Sequence, residues 1–146
     1  MDRRLGNRGF TLVELMVTIA VVAILAMIAA PSMSNMVAKQ RLNSTTRDLV
    51  STLSTARSQA ALLRKEVTVT LNSDSPNTQT NYYWNPTINS NLTSSTTSVV
   101  FNPNGTVKDA TGDTDFVICN SKTSTTKTIS LTRTGAQYFK AEGTCT

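Results

Sequence analysis

Gly9-Phe10-Thr11-Leu12-Val13-Glu14 opens the one membrane-length apolar run in the chain. From Phe10 to Ala30 only Thr11, Glu14 and Thr18 carry side chains that hydrogen-bond strongly. As a helix the run is roughly 31 Å long, enough to cross the hydrocarbon core of a bilayer. Asp2, Arg3, Arg4 and Arg8 precede it and leave a net positive flank. Such flanks stay on the cytoplasmic side, so the N-terminus is expected in the cytoplasm and the remainder across the membrane.

A secretory signal ordinarily carries a small-residue cleavage site after its apolar region. Here the run ends in Ala29-Ala30-Pro31-Ser32-Met33, and the small residue at a junction is Gly9, ahead of the run. Cleavage there would discard the basic leader and keep the apolar helix. In this the chain resembles the type IV pilin and pseudopilin family, marked by a short basic leader, Gly, Phe-Thr-Leu-x-Glu and an apolar helix. Pro31 also falls where that family has a proline. The resemblance covers about the first 30 residues. It implies cutting between Gly9 and Phe10 by a prepilin peptidase and N-methylation of Phe10. It also implies assembly with other minor and major pilins through an inner-membrane assembly platform. The alternative is a plain membrane anchor in which Glu14 is incidental.

An intramembrane carboxylate is costly and calls for a named partner. Glu14 lies about one helical turn from Phe10. Its carboxylate is therefore within reach of an N-terminal ammonium, its own or an adjacent subunit's. In apolar surroundings, removing either charge leaves the other unpaired.

The 146 residues leave room for one anchor and one small domain. The expected organisation is a cleaved leader over 1–9, a transmembrane or filament-core helix over 10–31, and a periplasmic domain over 32–146 that includes the amphipathic half of the helix. Removing Arg3, Arg4 and Arg8 together with Asp2 takes the full-chain charge of +5 to +3. The mature chain is thus less basic than the whole, and composition argues only weakly for nucleic-acid binding. The two cysteines, Cys119 and Cys145, would sit in an oxidising compartment, where an even pair reads as a disulfide. Two free buried thiols are the alternative. With no histidine in the chain, two cysteines do not make the usual closed zinc site.

Pro31 removes one backbone hydrogen bond and is expected to break or loosen the helix locally. Beyond it Leu42, Leu49, Leu53, Ala56, Ala60 and Leu63 fall on one helical face, with Arg41, Arg47, Asp48, Arg57 and Arg64 largely elsewhere. One helix is therefore expected from Phe10 to about Lys65, apolar all round in its first half. The second half needs a sheet to cover its stripe. Glu66–Leu71 alternates as a half-buried strand, followed by strands at Tyr82–Trp84, Ser98–Phe101, Asp115–Cys119, Lys127–Thr132 and Gln137–Lys140. The polar stretch from Asn72 to Thr97 reads as partly disordered loop. The fold class is α+β, a long N-terminal helix packed against an antiparallel β-sheet.

No nucleotide-binding motif appears, and no hydroxyl nucleophile has a general base around it, so the chain is not expected to be an enzyme or to hold a cofactor. Asp109, Asp113 and Asp115 do not match the EF-hand spacing and read as a solvated acidic loop rather than a calcium site. Tyr82-Tyr83-Trp84 is either a stacking surface for bases or strand packing, and packing is the plainer reading.

Leu53-x-x-Ala56-Arg57-Ser58-x-Ala60, the following Val-x-Val strand, Phe101-x-x-x-Gly105 and Gly135 resemble the FimT/FimU and GspH branch of minor pilins and pseudopilins. This second resemblance is looser. It implies a low-abundance subunit near the filament tip that helps start assembly in type IV pili, supporting twitching motility, adhesion or DNA uptake. A type II secretion pseudopilin is an alternative. FimT-like members bind DNA through a basic Gly-Arg-x-Arg element. The corresponding Gly135-Ala136-Gln137-Tyr138 has neither arginine. That departure favours the FimU-like reading over a DNA receptor and leaves Lys127, Arg133 and Lys140 as candidates for weak DNA contact. The implied location is the bacterial inner membrane before assembly and the filament outside it afterwards.

Overall fold

The computed structural model describes residues 10–145, apart from the side chains of 29–31. The chain divides into two compact units between Met36 and Val37. Helix α1 is assigned over Leu12–Leu63, 52 residues, inside the expected Phe10–Lys65. Gly9 and the side chain of Pro31 lie outside the described residues. No single helix among those described is long and apolar enough to cross a membrane, and Leu12–Ile28 and Ser32–Leu63 meet that measure only as a pair.

In the first unit the apolar side chains have no protein cover. Relative exposure runs from 49% at Val21 to 77% at Met27. A helix apolar on every side needs lipid or other helices around it.

In the second unit Leu42, Leu49, Leu53, Ala56 and Ala60 are buried, on the expected stripe, Ala38 extends it by one turn, and Leu63 is only half-buried. Thr45 and Thr46 are buried among them. The Thr46 hydroxyl donates to the Leu42 carbonyl (2.6 Å), and Thr45 hydrogen-bonds Thr87. Burial therefore leaves neither hydroxyl unpaired.

Eight strands follow: β1 Val67–Leu71, β2 Asn81–Trp84, β3 Ser90–Leu92, β4 Ser98–Phe101, β5 Thr114–Asn120, β6 Thr125–Leu131, β7 Gln137–Phe139 and β8 Gly143–Thr144. They form two sheets, one ordered β2-β1-β4 and one ordered β3-β5-β6-β7 with β8 also pairing β6. The core joins the helix stripe to Val67, Val69, Leu71, Trp84, Val99, Phe101, Phe116, Ile118, Ile129 and Leu131. These are the inward positions of alternating strands.

Three expectations need correction. The sheet is not wholly antiparallel, because β1 and β2 pair in parallel, Thr68 with Asn81 through Leu71 with Trp84. The connection, residues 72–80, is long enough to run back beside a five-residue strand, and Asn72 reverses the chain at φ 56°. Within the stretch from Asn72 to Thr97 the expected strand at Tyr82–Trp84 forms, as β2, and Ser90–Leu92 adds a strand, β3, that was not expected. Asn77 Oδ1 accepts from the Tyr83 amide (2.8 Å) and thereby caps the outer edge of β2. The tail also forms β8, which the sequence did not signal.

Candidate functional site

Thr11 precedes the first helical residue, and its Oγ1 accepts from the Glu14 amide (3.2 Å), a helix N-cap. The Thr18 hydroxyl donates to the Leu15 carbonyl (2.8 Å). Of the three polar side chains in the apolar run, two are therefore satisfied by the helix itself. The Glu14 carboxylate is not: it takes part in none of the hydrogen bonds or ion pairs among the described residues. In the uncut chain Phe10 N is a peptide amide. An ammonium exists there only after the bond to Gly9 is cut, so processing would create the cation that Glu14 lacks.

The second unit is held by a contact that sequence reasoning assigned to the solvated side. Arg57 turns inward instead, and its Nε donates to the Gly105 carbonyl (3.0 Å). Gly105 (φ 77°) sits in the turn after β4 and Gly135 (φ 79°) in the turn between β6 and β7. A Cβ at Gly135 would lie 2.5 Å from the Gly105 oxygen and 2.8 Å from Arg57 Nε. The helix, a turn of the small sheet and a turn of the large sheet thus meet around one guanidinium. The sequence signal was Arg57 between alanine and serine, read with two distant glycines. Asn120, fully buried, makes a second such joint. Its Oδ1 accepts from the amides of Lys122 and Thr123, and its Nδ2 donates to the Ala38 carbonyl (3.4 Å).

Cys119 and Cys145 form the expected disulfide, with Cα atoms 5.6 Å apart. It fastens β8 beside the start of β6, where Thr125 pairs with Thr144.

The prokaryotic N-terminal methylation motif matches residues 4–30. The crystal structure of the Pseudomonas aeruginosa type IV minor pilin FimU superposes with a TM-score of 0.55 at 19% identity, covering 70% of this chain and 90% of that one. No curated protein matches the chain's sequence. The chain is type IV pilin-like in motif and in fold.

In this pilin-like chain the cations considered for DNA contact do not gather. Lys127 shares the core-facing side of β6 with Ile129 and pairs with Glu142 (3.0 Å). Lys140 lies on the opposite face and pairs with Asp115 (2.6 Å), which stands across from Ser130. Arg133 is exposed in the turn after β6. The Lys140 ammonium, and after it the Ser130 hydroxyl, hold the Asp115 carboxyl below the usual carboxylate range. Asp115 in turn raises the Lys140 pKa through the same hydrogen bond.

The acidic loop does not converge on an ion either. Asp115 turns to Lys140 and Asp113 accepts from the Tyr138 hydroxyl (3.0 Å). Among the described residues no cluster of three metal-ligating side chains exists. Of the aromatic trio, Trp84 is buried in the core and Tyr82 lies against it, while Tyr83 is half-buried outside it.

Proposed function

We propose that this chain is a minor pilin that assembles into type IV pili and helps prime assembly near the filament tip. The observation that carries the reading is Glu14, whose carboxylate has no partner among the described residues, on an exposed apolar helix that begins with a methylation motif. In this reading a prepilin peptidase removes residues 1–9 and Phe10 is N-methylated. Residues 10–31 anchor the chain in the inner membrane as a single pass, N-terminus inside, with 32–146 in the periplasm. An assembly platform then moves it into a filament of minor and major pilins. There its Phe10 ammonium and Glu14 carboxylate are neutralised by one another or by neighbours.

Support for the scaffold role over a DNA receptor comes from the pairing of Lys127 and Lys140 with carboxylates on opposite faces. DNA uptake, twitching and adhesion then depend on this subunit through the filament.

Intact mass of the protein from native membranes tests the reading, and a mature chain beginning with methylated Phe10 is expected. Retention of residues 1–9 in cells with an active peptidase would overturn it. In a deletion strain, the variant with Lys127, Arg133 and Lys140 replaced by Gln should restore both pili and DNA uptake. Pili restored without uptake would establish the receptor reading instead.

A further inference from the structure

Between α1 and the β6–β7 edge of the large sheet, Asn43, Thr46 and Arg47 of the helix, Lys127 of β6 and Phe139 of β7 line a cavity of about 240 Å³. Spacings of three and four residues put the helical members side by side. Lys127 and Phe139 share one face of the sheet, because Phe139 stands across from Ile129 and Lys127 lies two residues from it. Three of these groups have needs that the described residues do not meet. Arg47 is exposed and in no ion pair among them. The Oδ1 of Asn43 is buried without a hydrogen-bond partner. Phe139, on the sheet's last strand, stays 59% exposed.

Each need selects a different part of a ligand. A guanidinium takes an anion, best a planar carboxylate that accepts two parallel hydrogen bonds. A buried amide oxygen takes a hydroxyl or N–H donor. An exposed aromatic ring takes an apolar face, best one whose C–H groups meet the ring's negative face. No lining side chain is acidic, and Glu142 offsets only Lys127, so one cation is left uncommitted. The volume is below the roughly 300–1,000 Å³ of sites for drug-sized ligands. It suits a single small ring better than a base, sugar and phosphate together.

We propose that this cavity binds one uronic-acid unit of an acidic sugar. Its carboxylate pairs with Arg47, the C–H face of its pyranose ring lies on Phe139, and a ring hydroxyl donates to Asn43 Oδ1. Asn43 already lines the cavity, and its terminal amide torsion is soft enough to turn that oxygen toward the ligand. Lys127, held by Glu142, forms a wall of the site. A neutral hexose has the ring and hydroxyls without the charge, and acetate has the charge without the ring, so neither replaces the uronate.

The test titrates glucuronate onto the full chain in mild detergent and follows saturation transfer from protein to sugar protons by NMR. Millimolar binding is expected for a ligand of this size, with saturation strongest on one C–H face of the ring. Glucose, acetate and thymidine 5′-monophosphate should each bind on the order of tenfold more weakly. Arg47→Gln and Phe139→Thr, both at exposed positions, should each lose about as much, whereas Arg133→Gln, with the same change in net charge, should lose nothing. A trigalacturonate arm distinguishes the sources: tighter binding than the monomer assigns the site to a polymer, equal binding to a free sugar, and the site stands with both. No binding of glucuronate, or binding that survives in Arg47→Gln, overturns the site. Acetate binding as well as glucuronate reduces it to a general anion patch, and the nucleotide binding as well gives it to nucleic acid; both outcomes overturn the sugar assignment.

Discussion

Gly135→Ala should be among the most damaging small substitutions in the domain. At φ 79° an alanine sits in the left-handed region, which costs roughly 1 kcal/mol relative to glycine. Its Cβ would stand 2.5 Å from the Gly105 carbonyl oxygen, a backbone atom in another turn, and 2.8 and 3.0 Å from Arg57 Nε and Cδ. Relieving such a contact moves backbone or expels the arginine, with overpacking costs of typically ~1–3 kcal/mol. If Arg57 leaves, its hydrogen bond to Gly105 goes too, about 1 kcal/mol or somewhat more for a charged donor. Together these give roughly 3–5 kcal/mol, against a total stability of about 5–15 kcal/mol for a domain of ordinary size. For a domain near 110 residues that corresponds to a fall in Tm of very roughly 10–20 °C. Thermal unfolding of the disulfide-intact full chain in mild detergent, followed by circular dichroism of the sheet, measures it. Gly112→Ala is the control, since nothing lies within 4 Å of a Cβ there, and its effect should stay within about 0.5 kcal/mol. Gly105→Ala should fall between, because its nearest contact is the flexible Arg57 side chain at 3.3 Å. If Gly135→Ala melts with Gly112→Ala, the three-way joint around Arg57 holds nothing, and the account of how the sheets are fastened fails.

The disulfide closes a loop with a separation of 26 residues. Reducing it should cost about 3.5 kcal/mol on the chain-entropy estimate, read as a shift in denaturant midpoint; an unchanged midpoint would refute that contribution. Acid should loosen the β5–β6–β7 end through Asp115. Its folded pKa is depressed below the ordinary 3.8, so its contribution is present above that value and is lost as pH falls through the folded pKa. Lys140 is raised, so its share persists below the ordinary 10.5 and is lost only as pH climbs through the higher folded value. Asp115→Asn should flatten the acid limb of a stability–pH curve, and an unaltered limb would show that the pair is screened out. Glu14→Ala should be inserted and processed but enter filaments poorly, as counted in sheared pili, and wild-type incorporation would remove the proposed ion pair.

Much of this molecule was legible because local pattern and final environment agree. Leu42, Leu49 and Leu53 repeat at helical spacing and are buried on that face; Val67, Val69 and Leu71 alternate and point to the core. Glu14 stood out for the opposite reason, since a carboxylate in an apolar run is anomalous before any fold is considered, and folding the described residues supplies it with no partner. The misses lie where identity carries little information and distant pairing decides. β3 and β8 are short and polar, and exist only because β5 and β6 offer edges to them. The parallel pairing of β1 and β2 depends on the path of a nine-residue loop, which composition does not encode. Arg57 is the sharpest case. On the helix it looks like any solvated arginine, and its partner is a carbonyl 48 residues away, brought to it by glycines in a backbone conformation that other residues rarely adopt. A charge whose needs are met inside the fold is hidden from local reading, whereas a charge whose needs the fold leaves unmet is conspicuous. By that contrast Arg57 belongs to the architecture of the domain. Glu14, with no partner among the described residues, is the charge whose need the proposed filament would meet.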